Sequence, residues 1–442
     1  MNVVVHRRWA FALLAVLGAL VAVSVPLLGA DPWPFRTPPA DTGGVLGPLV
    51  RAADGRWDLG VVRSPAVVAG VLIAVVALFG WRRVRWSAGW LTVLTLAVVV
   101  LVVAPAVLLQ VALRDATAPW FHTNDSTYQI ELAGDLVLDG KTPYGHDYAR
   151  SGLERFYSRN GSLPPPNERR QVALTHFAYF PGAALTAAAW RLLPSPWDDY
   201  RLFVFLATVG CVLAFLLFPA PPAMRLALGA AVALSPVLVR GAWFGQADSP
   251  SLLCLVLAFA LVARSRFVWA AGFLAAAVLL KQFALVAVPF FAVMLLQRRV
   301  TRGALAWSAA VFGMVLVAGF LPFLLSDPQA VWEDTIRYGA GTYRILGYGL
   351  SAILLNLDVI DDRYGSYPFA WLVALVWLPV TLYVLWQQRR SEELWEGAAG
   401  FAVSIFTLLF IARVFQTSYL AWPLVGIALA VALAASSWHR PG

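Results

Sequence analysis

The sequence predicts an all-α polytopic membrane protein with about 12 to 13 transmembrane helices, each near the 20 residues that a bilayer requires. Three observations carry this. Of 442 residues, 60% are hydrophobic and only 13% are charged, against roughly 25% charged in a soluble domain, and the mean hydropathy is +0.72. A water-soluble surface needs more charge than that to cover it. The apolar residues are gathered into runs at 9–29, 64–81, 86–113, 172–193, 202–218, 226–239, 249–263, 267–296, 303–325, 368–386, 397–412 and 418–435. Finally, basic residues cluster in short stretches between the runs, the pattern of cytoplasmic loops. The net charge of +9 comes from those loops, which argues for a bilayer and against nucleic acid as the partner.

Taken in order, the first run follows His6, Arg7 and Arg8. It is too long for the apolar part of a secretory signal, and Leu28-Gly29-Ala30 is a poor cleavage site, so it reads as an anchor. Residues 1–85 form an accessory two-helix hairpin with an outer loop rich in Pro and Gly, and residues 86–442 form the transmembrane core. The arginines at 7–8, 82–85, 298–302 and 389–390 place those loops inside. Loops 30–63, 114–171 and 326–367 are then outside, in a plasma membrane crossed many times. The run 267–296 carries Lys281 at its centre, with arginines at 264, 266, 298 and 299 on its flanks. A short hairpin with Lys281 at its outer turn keeps all four inside. It requires 172–193, broken at Pro181-Gly182, to be partly re-entrant. Within the outer loop 114–171, residues 126–138 have helical apolar spacing with acids on the other side, after an Asn124-Asp125 start suited to capping. Such a helix is expected to lie along the membrane surface.

Four places could carry chemistry. Asp125 follows Pro119-Trp120-Phe121-His122-Thr123-Asn124, where the third run emerges. A carboxylate facing both water and bilayer suits a base acting on a hydroxyl; the competing reading is a helix cap. Next, Trp243-Phe244-Gly245-Gln246-Ala247-Asp248 sits at the mouth of an apolar run. Gln246 and Asp248 offer polar partners for sugar hydroxyls, and Trp243 an apolar face for a ring; here too a plain helix start capped by Asp248 competes. Lys281 is one of only two lysines, beside 31 arginines. A lysine in mid-run costs about 2.5–3.5 kcal/mol of insertion unless it pairs or snorkels, and a lipid phosphate is its natural anion. The last is Arg413, an outward cation between two apolar runs, with interfacial anchoring as its alternative. Three of the five histidines, His122, His146 and His176, fall between 114 and 176. Cys211 and Cys254 both lie inside apolar runs, where neither reads as a disulfide half or a metal ligand.

These residues also form a familiar series. Asp125 and Tyr128 followed by Gly140-Lys141-Thr142-Pro143-Tyr144 resemble the D-x-x-x-Y…G-x-x-P-Y pattern of the glycosyltransferase family 87 membrane enzymes, with the tyrosine one position early. Tyr179-Phe180-Pro181-Gly182 resembles that family's Y-x-P-G step, and Gly245-Gln246-Ala247-Asp248 its G-Q-x-N/D. Ala271-Gly272-Phe273 leading to Lys281 is similar to A-G-(apolar)-K, and Arg413-x-Phe415…Tyr419-x-x-Trp422-Pro423 to a K-x-F-S-P-Q-Y-x-x-W-x-P element. Gln416-Thr417-Ser418 stands where S-P-Q would be, and the N-terminal helix pair is extra. The resemblance implies a GT-C-like bundle. It implies inverting transfer of a sugar, typically mannose, from a polyprenyl-phosphate carrier to a cell-envelope glycolipid or glycan acceptor on the outer side. Asp125 would be the base. Lys281 and Arg413, with Arg240 behind them, would bind the donor phosphate. Gln246, Asp248, Trp243, Tyr128, Tyr144 and His122 would contact sugar or acceptor. A glycosyl phosphate is a good leaving group, so one carboxylate suffices where hydrolases use two. No cofactor is firmly implied; Asp248 with Gln246, or His122, offers ligands for a divalent cation. Two other classes stand beside this one. A transporter or flippase of a lipid-linked sugar predicts inverted repeats and charge at mid-depth, and an envelope scaffold predicts no convergence of the polar groups.

Overall fold

The structure, a computed structural model, describes residues 3–28, 43–81, 85–117, 123–157 and 173–437, and helices dominate it. Among the described residues, six helices are long and apolar enough to cross a membrane: Arg7–Pro26, Gly60–Gly80, Ala88–Asp115, Arg302–Ser326, Phe369–Arg390 and Thr417–Ser436. Pro222–Ala233 and Pro236–Phe244, bent by 53° at their junction, make a seventh if taken as one span. The chain is a polytopic, all-α membrane protein. The expected count of 12 to 13 full spans is too high, because five more of the apolar runs fold into helices of 10–17 residues. At 1.5 Å per residue a 14-residue helix covers about 21 Å, short of a hydrocarbon core near 30 Å. A run that is apolar all round marks burial in protein as readily as contact with lipid.

The chain folds as two compact units. The first comprises Met1–Thr127, Leu192–Arg264 and Ala435–Gly442. Its strand Val4–His6 pairs antiparallel with Arg85–Ser87, with Val5 opposite Trp86. The Arg7 guanidinium lies 4.3 Å from the Trp81 ring, a cation–π contact that ties the two ends of the N-terminal hairpin. That hairpin is not set apart: helix Arg7–Leu27 packs on Leu59–Gly80 and on Pro222–Ala233, and the Ser24 hydroxyl donates to Leu234 O at 2.9 Å. No boundary between units falls near residue 85. Helix Tyr200–Phe215 packs on Asp248–Ala263 and completes this unit's core.

The second unit comprises Tyr128–Arg191 and Ser265–Ala434. Helix Phe267–Leu280 packs along Arg302–Ser326 and against Pro181–Trp190, whereas Ala287–Gln297 packs on Leu378–Arg390 and Trp395–Ile411. The long run therefore does break at Lys281, whose backbone is extended. The break does not make the expected hairpin, since the two arms take different neighbours. Helix Pro181–Trp190 has ten residues, about 15 Å of rise, half of an apolar core.

The unit boundary falls inside helix Asp125–Leu138. This helix is not the surface helix its periodicity suggests, because Gln129 and Glu131 are as buried as Ile130. In the second unit, the Gln129 amide donates to the carbonyls of Ala173 and His176 at 2.6 and 2.8 Å, and the Arg191 guanidinium meets Asp135 at 2.9 Å. Its polar face is bound by protein instead of water.

Candidate functional site

In the first unit, the amino end of helix Asp125–Leu138 is built on the turn after helix Pro236–Phe244. Asn124 is the cap: its Oδ1 accepts from the Thr127 backbone at 2.7 Å and from the Ser126 hydroxyl at 2.9 Å. Its amide donates to Phe244 O, and the Thr127 hydroxyl donates to Gly245 O. Two stretches far apart in sequence, 123–127 and 243–248, are thereby brought together. Capping falls to Asn124, so the helix-cap reading of Asp125 does not hold; its half-buried carboxylate accepts the N–H of Ser126 at 2.9 Å.

The turn demands glycine. Gly245 has φ +79°, and a Cβ there would run into the Thr127 hydroxyl and the Arg201 stem. Arg201 is fully buried. Its Nε donates to Asp199 Oδ1 at 2.9 Å, and Arg114 reaches Asp199 Oδ2 at 3.1 Å. Burial alone would raise the pKa of Asp199, but the guanidiniums of Arg201 and Arg114 outweigh it and hold the carboxyl below its ordinary range. A buried charge so surrounded is satisfied, and removing either arginine would strand it. This triad escaped the sequence reading. Its one signal is Asp199 two positions before Arg201 at the start of an apolar run.

Gly245→Ala tests the turn. Left-handed backbone costs a non-glycine residue of order 1 kcal/mol, and the clash displaces the helix start that carries Asp125. A shift of about 1 Å near reacting groups costs of order 100-fold in rate. We therefore expect a lower thermal midpoint and a larger loss of kcat than of substrate affinity, read from melting curves and steady-state rates.

The other residues expected here are placed as follows. Gln246 is half-buried and Asp248, the first residue of helix Asp248–Ala263, is buried. Arg240 is exposed, with its guanidinium 5.6 Å from the Phe244 ring. Trp243 does not offer its face to a sugar, because Trp57 stacks on it at 5.1 Å and 15° and both indoles are buried. His122 lies outside the described residues.

In the second unit, Lys281 is 7% exposed. Its amine lies 5.2 Å from the Tyr179 ring and 5.4 Å from the Phe283 ring. The break is held from below by Gly182, where a Cβ would stand 2.6 Å from Leu279 C and O. Only glycine lets the Pro181–Trp190 helix start this close to the residues that lead into Lys281. The Tyr179…Gly182 and Lys281 motifs thus form one local structure, joined further by the Gln282 amide donating to Ala178 O at 3.0 Å.

Three of the expected contact residues are structural in this arrangement. Arg413 is 3% exposed and spends its guanidinium on the carbonyls of Tyr343, Arg363 and Gly365. Five donors in a fixed fork suit that clamp, and it ties down the outer segment 343–365 instead of a phosphate. Tyr128 donates to Ser151 O at 2.8 Å and Tyr144 to Tyr179 O at 2.9 Å, and both are buried. Burial, with Tyr148 and Asp334 nearby, pushes the Tyr144 phenol well above its ordinary range, so it stays a donor. Among the described residues no three His, Cys, Asp or Glu side chains are grouped to hold a metal.

Known proteins were compared with this sequence. Residues 177–412, just over half of the chain, match the model of glycosyltransferase family 87. No curated protein and no solved structure matches.

Proposed function

Because the chain belongs to glycosyltransferase family 87 and is a membrane-embedded glycosyltransferase, we propose that its donor is a sugar on a polyprenyl phosphate, with mannose as the sugar. The sugar passes with inversion to a hydroxyl of a cell-envelope glycolipid or glycan on the outer side of the plasma membrane. Lys281 is the observation that carries this reading. A lysine kept almost wholly out of water at a helix break, amid apolar helices, needs an anion, and a carrier that is itself a lipid brings one to that depth. Asp125, released from capping by Asn124, takes the acceptor proton as the C1–O bond forms. The bond from C1 to the phosphate oxygen breaks, and the phosphate leaves with its electron pair. Gln246, Asp248 and Arg240 complete the proposed contacts to substrate.

The test is incubation of purified protein in nanodiscs with labelled polyprenyl-phospho-mannose and total envelope glycolipids. A labelled glycolipid product supports the reading. Carrier moved across the bilayer with its sugar still attached would replace it with the flippase reading.

The outer orientation has its own test. Single cysteines are placed in a variant lacking Cys211 and Cys254 and treated with an impermeant thiol reagent in intact cells. Labelling is expected at Asp361, in the loop 326–367, and is not expected at Arg389. The reverse pattern would put the catalytic side in the cytoplasm.

A further inference from the structure

His176 and Asp334 have no part in the reading above, yet in the second unit they form a dyad. The His176 Nδ1 lies 2.8 Å from Asp334 Oδ1. The other carboxylate oxygen accepts the backbone N–H of Gly145 at 2.8 Å and of Phe177 at 3.1 Å. Asp334 is 2% exposed, and these three hydrogen bonds compensate its burial. A carboxylate only accepts, so Nδ1 carries the proton and Nε2 of the neutral ring is left as an acceptor. The Tyr338 ring stacks on the imidazole with centroids 4.3 Å apart and 25° between planes. The ring is thus fixed at one edge and on one face, while the side chain keeps 21% exposure. This is the construction of an oriented imidazole.

The dyad belongs to the same local structure as Lys281. Gly145, which donates to Asp334, follows Tyr144, whose hydroxyl donates to Tyr179 O; the Tyr179 ring lies under the Lys281 amine. His176 and Tyr179 are three residues apart, about 10 Å in extended chain. A sugar ring joined to a phosphate has that reach.

We propose that His176 contacts the substrate directly, its Nε2 accepting a hydrogen bond from a sugar hydroxyl, with Asp334 as the positioning residue behind it. The inference rests on the chain's handling a sugar next to a phosphate held by Lys281. The ligand chemistry follows from the dyad. A lone pair backed by a carboxylate repels an anion, so the phosphate is not its partner. A metal would need further ligands, and among the described residues no third His, Cys, Asp or Glu side chain joins the pair. A neutral hydroxyl donor remains.

Two substitutions separate chemistry from scaffolding. His176→Asn keeps an amide donor for Asp334 and removes the Nε2 position. His176→Gln extends an amide toward the Nε2 position and restores an acceptor there. Binding of octyl glucoside, mannoside and galactoside, and of their monodeoxy analogues, is measured by calorimetry on protein in nanodiscs, with melting curves alongside. His176→Asn is expected to melt like wild type and to bind the preferred glycoside about tenfold more weakly, while His176→Gln recovers part of that. One monodeoxy analogue should bind wild type and His176→Asn equally, because the hydroxyl and its partner are then both gone. Unchanged binding in His176→Asn, a uniform loss across all analogues, or no glycoside bound by wild type would each overturn the assignment. Transfer from polyprenyl-phospho-sugars by wild type, run in parallel, reports on the donor reading separately. Selective loss of one hydroxyl contact without any transfer would sink that reading and leave the dyad standing.

Discussion

Asp125→Asn is expected to lower sugar transfer by about 100-fold or more while protein level and thermal midpoint hold. The substitution is nearly isosteric, and an amide oxygen can still accept the N–H of Ser126 that the carboxylate accepts at 2.9 Å. The cap, which would otherwise couple this residue to folding, is Asn124. What remains of the charge is its attraction to the helix amino end, worth about 0.3–1 kcal/mol. Folding should therefore register the change weakly and chemistry strongly. Steady-state rates and melting curves on the same preparation decide it. Full activity would move the base to another carboxylate of the first unit. Asp248 and Asp115 are then the alternatives, the former buried and the latter exposed and bonded to the Ser195 hydroxyl at 2.8 Å.

The membrane class was legible because composition reports it directly, and the family series because its residues keep their order along the chain. What failed did so for definable reasons. Apolar runs such as 249–263 do not tell whether lipid or protein surrounds them, so short internal helices passed for spans. The amphipathic spacing of 126–138 correctly marked a helix, but periodicity does not reveal that Ala173, His176 and Arg191 cover its polar side. Arg413 and Lys281 read alike as lone cations in apolar surroundings. They differ because the chain folds the carbonyls of 343–365 around the guanidinium, whereas aromatic rings meet the ammonium. Trp243 was read as an open platform because its cover, Trp57, comes from the N-terminal hairpin. In each case the missing information is a contact between distant segments, which local pattern does not encode.

Lys281→Met is the second large effect expected, and here donor binding and stability should part company. Methionine keeps an unbranched apolar stem of similar length and removes a cation that costs about 2.5–3.5 kcal/mol to hold in an apolar segment. The contacts given up include the cation–π pairs to Tyr179 and Phe283, worth about 0.5–2 kcal/mol together or singly in such settings. These terms nearly offset, so abundance and thermal midpoint should hold or rise slightly. A charge-assisted contact to phosphate is worth about 1.5–3 kcal/mol, which corresponds to a loss of donor affinity of roughly 10- to 100-fold. Lys281→Arg should keep part of it, since the charge survives while the planar fork does not reproduce an ammonium's contacts. The comparison is made by competition with polyprenyl phosphate that carries no sugar, so that sugar contacts do not mask the phosphate term. Equal affinity in wild type and Lys281→Met, with a clear fall in melting temperature, would show that the lysine serves the fold through a protein partner. The anion at this helix break would then have to be sought at Arg240, which is exposed in the first unit.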